Sequence, residues 1–192
     1  MDLPDCIRAF VALRMSAEAE TAIERFIEPL RPLSSGVRWV SRTNFHLTLR
    51  FLGNEVPTSL IDKLAADLSH IASRAQPFRL TVQGIGGFPN LSRPHVIWIG
   101  LQSDELIELA TDVRAAASRA GFGDEDHLYT PHLTIARVRD PRELSGLRSV
   151  LQAAREHHFG ISTIASMTLY RSILCPAGAQ YAELKSWHLG AA

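Results

Sequence analysis

The sequence predicts a duplicated, bilobal fold of mixed strands and helices, and three observations carry that prediction. A strand-like stretch from Phe45 to Gly53 contains His46-Leu47-Thr48, and Pro131 to Arg137 repeats the arrangement as His132-Leu133-Thr134. Around each copy the elements follow in one order: strand, helix, His-x-Thr strand, helix, strand. The copies stand 132 − 46 = 86 positions apart, beyond the roughly 20–50 residues of a stacked repeat, so each marks half of a duplication. Two such lobes about a pseudo-twofold axis bring the motifs together across a cleft at their junction, a usual place for a ligand.

Ile7 to Leu13 alternates as a strand, with Ile7, Ala9, Val11 and Leu13 on one face and Arg8, Phe10 and Ala12 on the other. Ser16 is placed to cap a helix with Glu18 and Glu20 in its first turn and Ala19, Ile23, Phe26 and Ile27 as its apolar stripe, until Pro29 and Pro32 end it. Ser34-Ser35-Gly36 makes a loop and Val37 to Val40 a short extended piece. In the first motif strand, His46, Thr48 and Arg50 share one face, while Leu47, Leu49 and Phe51 form the core row. Pro57 opens a helix carrying Leu60, Ile61, Leu64, Leu68 and Ile71, and after Pro77 a strand runs through Phe78, Leu80 and Val82. The glycine-rich run Gly84 to Pro89 lacks the spacing of a dinucleotide or P-loop fingerprint and reads as a strand bulge and turn.

The second half restarts with a strand from His95 to Leu101 and a helix from Asp104 to Ala120, with Gly121-Phe122-Gly123 as its exit. The acidic loop Asp124-Glu125-Asp126 and His127 lead into the second motif. A helix follows Pro141 to about Glu156, and Phe159 to Ile164 and Met167 to Leu174 are extended. Aligning Leu13 with Leu101 sets Phe10 opposite Trp98. Both rings then stand on the cleft side of their strands, where they are suited to stacking on a base or to packing under a neighbouring element.

The 20 basic and 20 acidic residues cancel, so an anion site must be a local arrangement of Arg and His rather than a basic surface. Cys6 and Cys175 have no metal or redox spacing and read as reduced thiols. No apolar run approaches the ~20 residues of a membrane helix. The expectation is a cytoplasmic monomer without membrane association, one bilobal domain over 1–192 with halves at about 1–88 and 89–192 and strands free to cross between lobes.

A single His-x-Thr in a strand is usually a satisfied packing residue. The pair supplies two imidazoles and two hydroxyls to one volume. Imidazole titrates near neutrality, so one ring can accept a proton while the other donates one. That is the division of labour for in-line displacement at phosphorus, with Thr48 and Thr134 bonding non-bridging oxygens and a nearby Arg offsetting the developing charge. No His-x-x-x-His pair has carboxylate or thiol companions at zinc spacing, and His127 with His132 has none; there is no Gly-x-Ser-x-Gly elbow either. Neither a metal nor another cofactor is expected.

The segments Arg8 to Leu13, Trp39, His46 to Gly53, Gly86 to Pro89, Arg93 to Trp98 and Thr130 to Arg137 together resemble the 2H phosphoesterases. The resemblance is greatest to the bacterial and archaeal RNA 2′,3′-cyclic phosphodiesterases, also described as 2′-5′ RNA ligases, and covers nearly the whole chain. It implies an α+β fold with the cleft between two mainly antiparallel sheets flanked by helices. It also implies metal-independent hydrolysis of a 2′,3′-cyclic phosphate end, on RNA or a nucleotide, to a 2′-phosphate. His46 would protonate the departing 3′ oxygen, His132 would activate water, and Thr48, Thr134 and Arg137 would hold the phosphate. Strict alternation sets Arg137 on the face opposite His132, so this role needs a bulge, a strand end or a side chain curling round. Arg50 is the competing candidate. Two other functions fit the same residues: joining or cleaving a 2′-5′ linkage, and holding a nucleotide or RNA end without turnover.

Overall fold

The structure, a computed structural model, describes residues 4–33, 35–125, 128–176 and 178–191. Asp126 and His127 of the acidic loop, and Ser34, lie outside the described residues. Apolar alternation and helical spacing give all but the last of the elements in the order expected. They are β1 (Cys6–Leu13), α1 (Ala17–Ile27), β2 (Val37–Trp39), β3 (Leu47–Pro57), α2 (Thr58–Arg74) and β4 (Phe78–Phe88), then β5 (Val96–Gln102), α3 (Asp104–Ala117), β6 (His132–Val138), α4 (Ser145–Ala153), β7 (His158–Ile164), β8 (Ser166–Cys175) and β9 (Gly178–His188). Ser16 caps α1 by accepting from the Ala19 amide. Among the described residues no helix is long and apolar enough to cross a membrane.

Every pairing among the described residues is antiparallel, in the spatial order β7-β4-β5-β6-β3-β1-β8-β9 with β2 on β6. The order is a pseudo-twofold one about the β6–β3 junction, and that junction is a single bridge, Leu47 opposite Leu133. A five-strand sheet, counting β2, and a four-strand sheet therefore meet at one point. Strands do cross between sequence halves: β4 pairs with β5, β2 with β6, and β8 returns to β1.

The apolar rows of these strands, including Val11 and Leu13, Leu47 and Leu49, Ile97 and Ile99, and Leu133 and Ile135, join the buried faces of the helices in one core. Burying these rows on one face leaves Ala12, Thr48, Trp98, Gly100, His132 and Thr134 on the other, which the helices do not cover.

Two sequence expectations change here. The strand β9 was not foreseen, because it is an edge strand with one buried residue, Trp187, and so shows no apolar row. The glycine run holds the expected bulge, at Gly84 between Gln83 and Ile85, while β4 continues through it to Phe88. The alignment of Leu13 with Leu101 is off by two. Leu13 pairs with Leu47 and Ile99 with Leu133, so Leu13 corresponds to Ile99, Ala12 to Trp98 and Phe10 to Val96. A shift of two preserves the face, which is why alternation could not detect it.

Candidate active site

Each motif sets His and Thr on either side of a leucine, and the bridge joins those two leucines. In antiparallel register this places His46 alongside Thr134 and Thr48 alongside His132. Both rings are fixed identically. The Nδ1–H of His46 donates to the Asn44 carbonyl and that of His132 to the Thr130 carbonyl, each at 2.7 Å. A carbonyl only accepts, so both rings keep the proton on Nδ1 when neutral and leave Nε2 for chemistry.

Burial lowers the pKa of both histidines, and the backbone acceptors only partly oppose it. His46 is lowered further by Arg14, His132 and Arg137, and His132 by Arg137. A charge on one imidazole thus disfavours a charge on the other.

Two bulges decide between the arginines. Between β1 and β3, Ala12 faces Thr48 and Val11 faces Arg50, leaving Leu49 as an extra residue. Between β5 and β6, Trp98 faces Thr134 and Ile97 faces Ala136, leaving Ile135 extra. Each bulge reverses the alternation after the threonine. Arg137 therefore emerges on the face of His132 and Thr134, exposed. Arg50 goes the other way, onto the core side with Val11. It is 4 % exposed, paired with Glu125 at 3.0 Å, and it donates to the Phe122 and Gly123 carbonyls. The expectation that Arg50 shares the face of His46 is corrected: it ties the segment that follows α3 to β3.

Aromatic rings wall both histidines. Phe10 lies 4.9 Å from the His46 ring, with Tyr170 stacked on it at 5.3 Å and Tyr181 edge-on at 5.0 Å; Tyr181 is also edge-on to His46 at 5.0 Å. Enclosed in this way Phe10 is 4 % exposed, so the structure places it as a support for His46 rather than as an open platform for a base. Trp98 is half-buried, 6.2 Å from His132, with Phe88 edge-on to His132 at 5.0 Å. Its indole lies over Gly86, where any Cβ would collide with the ring. Tyr181 was missed with its strand.

Behind His46 sits a buried carboxylate. Glu20 is 6 % exposed and receives Arg14 at 2.5 Å and Arg42 at 3.4 Å. Arg14 also donates to the Thr43 carbonyl and Asn44 Nδ2 to the Ala179 carbonyl, so the turn that presents Asn44 to His46 is held from both sides. Among the described residues, no group of three or more His, Cys, Asp or Glu is arranged to hold a metal ion.

The model of the 2′-5′ RNA ligase superfamily matches residues 19–172, a span that contains both motifs, both bulges and Arg137. The chain belongs to this superfamily. Its relatives include an RNA 2′,3′-cyclic phosphodiesterase of Methanocaldococcus jannaschii, 32% identical over 94% of this chain and 100% of that protein. Another of the same name, from Archaeoglobus fulgidus, is 33% identical over 93% and 98%. Among solved structures, E. coli LigT complexed with 3′-AMP superposes with a TM-score of 0.79 at 28% identity, covering 97% of this chain and 99% of that one. The superfamily's α+β, mainly antiparallel architecture is the one described above.

Proposed function

We propose that this chain hydrolyses RNA 2′,3′-cyclic phosphate ends to 2′-phosphomonoesters by acid/base catalysis without a metal. The observation that carries the reading is the pair of Nδ1-anchored imidazoles joined by the Leu47–Leu133 bridge, each beside a threonine. The names of the archaeal relatives support the same substrate.

In this reading neutral His132 takes a proton from water through Nε2, and the water oxygen attacks phosphorus in line with the 3′ oxygen. The bond from phosphorus to that oxygen breaks, and protonated His46 supplies the proton that makes it a hydroxyl. The 2′ ester bond is untouched, so phosphate stays on the 2′ position. Thr48 and Thr134 donate to the non-bridging oxygens. Arg137 neutralises charge gathering there, and in a partly buried site such fixed donors act more strongly than in water. The lowered histidine pKa values fit a site that receives an anion, since the bound phosphate favours the protonated form of His46 just when it is needed.

The test is hydrolysis of a cyclic-phosphate-ended oligonucleotide in EDTA, with the products identified by phosphorus NMR. The expected product is the 2′-phosphomonoester. A 3′-phosphate product, or loss of turnover in EDTA, contradicts the proposal.

A further inference from the structure

The His46 hollow opens past Asn44 and Tyr181 into a second groove of about 580 Å³, and these two residues line both. A groove of that size falls within the range of roughly 300–1,000 Å³ that holds small ligands. Three arginines line it: Arg137, Arg38 and Arg8. Among the described residues that line it, none is acidic. The neighbouring hollows differ in this respect, since Arg14 shares its hollow with Glu183, and Arg155 lines another with Glu156.

Chain-wide charge balance makes this concentration a local feature. Arg38 and Arg137 are direct partners in the β2–β6 ladder, a position in which like charges are destabilising. Among the described residues none of the three arginines forms an ion pair with a carboxylate. Arg38 and Arg8 are nonetheless positioned. A Cβ at Gly178, whose φ is +138°, would come within 2.6 Å of Arg38 Nη2, so glycine leaves space for the guanidinium there. Arg8 is held over the Phe51 ring at 4.4 Å and donates to Asn54 Oδ1. Phe51 occupies the place after the first bulge that Arg137 occupies after the second, which brings Arg8 to the corresponding side of the cleft.

We propose that this groove is a second anion subsite, in which Arg38 and Arg8 hold the phosphodiester on the 5′ side of the terminal nucleotide. The inference rests on the hydrolysis proposed above and adds a length preference to it. An RNA end with at least one upstream phosphate engages the groove; a cyclic mononucleotide does not. Guanidinium groups suit this role because their forked donors match two phosphate oxygens at once.

The experiment compares kcat/KM for a cyclic-ended dinucleotide and a cyclic mononucleotide, in the wild-type protein and in Arg38→Gln and Arg38→Glu. Arg38 is exposed, so neither substitution disturbs the core. The wild type should favour the dinucleotide by about tenfold or more, the worth of at least one charge-assisted hydrogen bond, and Arg38→Gln should lower the ratio severalfold, leaving what Arg8 contributes. Arg38→Glu should invert it. The dinucleotide's dependence on salt should also weaken in Arg38→Gln, because one of the two cations that meet its phosphodiester is gone. A wild-type ratio of one, or an unchanged ratio in both variants, overturns the subsite. If neither substrate turns over, the hydrolase reading fails instead. Calorimetric binding of 2′-phosphorylated di- and mononucleotide then decides the subsite by the same ratio.

Discussion

Leu47 and Leu133 face each other across the one bridge that joins the two sheets among the described residues. Both are buried, at 1 % and 0 % exposure, so the junction is anchored in the core on one side while histidines and threonines emerge on the other. On the proposed mechanism neither half holds a complete site. The duplication is thereby tied to the chemistry, because the bridge pairs the two motifs and leaves each histidine beside the other motif's threonine.

Both histidines are lowered by burial from an ordinary value of 6.5, and that fixes the direction of the pH dependence. In the proposed mechanism, activity needs His132 neutral and His46 protonated. The profile of kcat/KM, which reports the free enzyme, should be a bell centred below pH 6.5. Bound phosphate stabilises protonated His46, so the alkaline limb of kcat should lie at higher pH than that of kcat/KM. Rate measurements across pH at saturating and low substrate check both, and coincident alkaline limbs contradict the assignment.

Arg137 and Arg50 should separate cleanly. Arg137→Ala removes an exposed cation from the reacting face, with an expected loss of about a hundredfold in kcat/KM and little change in unfolding free energy. Arg50→Ala strips away a buried guanidinium and its bonds to Glu125, Phe122 and Gly123, at a cost of about 2–3 kcal/mol of stability. Parallel steady-state kinetics and urea titrations distinguish the two. The opposite pattern would restore Arg50 to the phosphate.

Glu20 pairs with Arg14, which also braces the turn at Asn44. In Glu20→Gln, Arg14 loses its compensating charge while still facing His46, whose pKa it already lowers. The alkaline limb of kcat/KM should therefore move to lower pH, with kcat reduced at neutral pH. A purely structural effect would lower the melting temperature and leave the limb in place.

The repeat, the two strands of paired His and Thr, and most element boundaries were legible because they rest on period-2 and helical spacing. What alternation hides is a single extra residue. On β6 the bulge left a trace, the adjacent buried pair Ile135-Ala136, and reading that doublet as a phase change would have put Arg137 on the right face. On β3 the same phase change was masked, because a buried Arg50 looks like a cleft residue in sequence. Tyr181 was lost for another reason. Its strand is mostly solvated, and its aromatic gains meaning only when β8 and β9 carry it beside His46.

In the proposed mechanism His46 is the acid and His132 the base of one site. A cyclic phosphorothiolate with sulfur in place of the 3′ oxygen tests it most directly, since a thiolate leaves without needing a proton. On this substrate His46→Ala should approach the wild-type rate while His132→Ala stays inactive, although both variants are inactive on the oxygen substrate. Rescue of His132→Ala instead, or no rescue of His46→Ala, would contradict these roles.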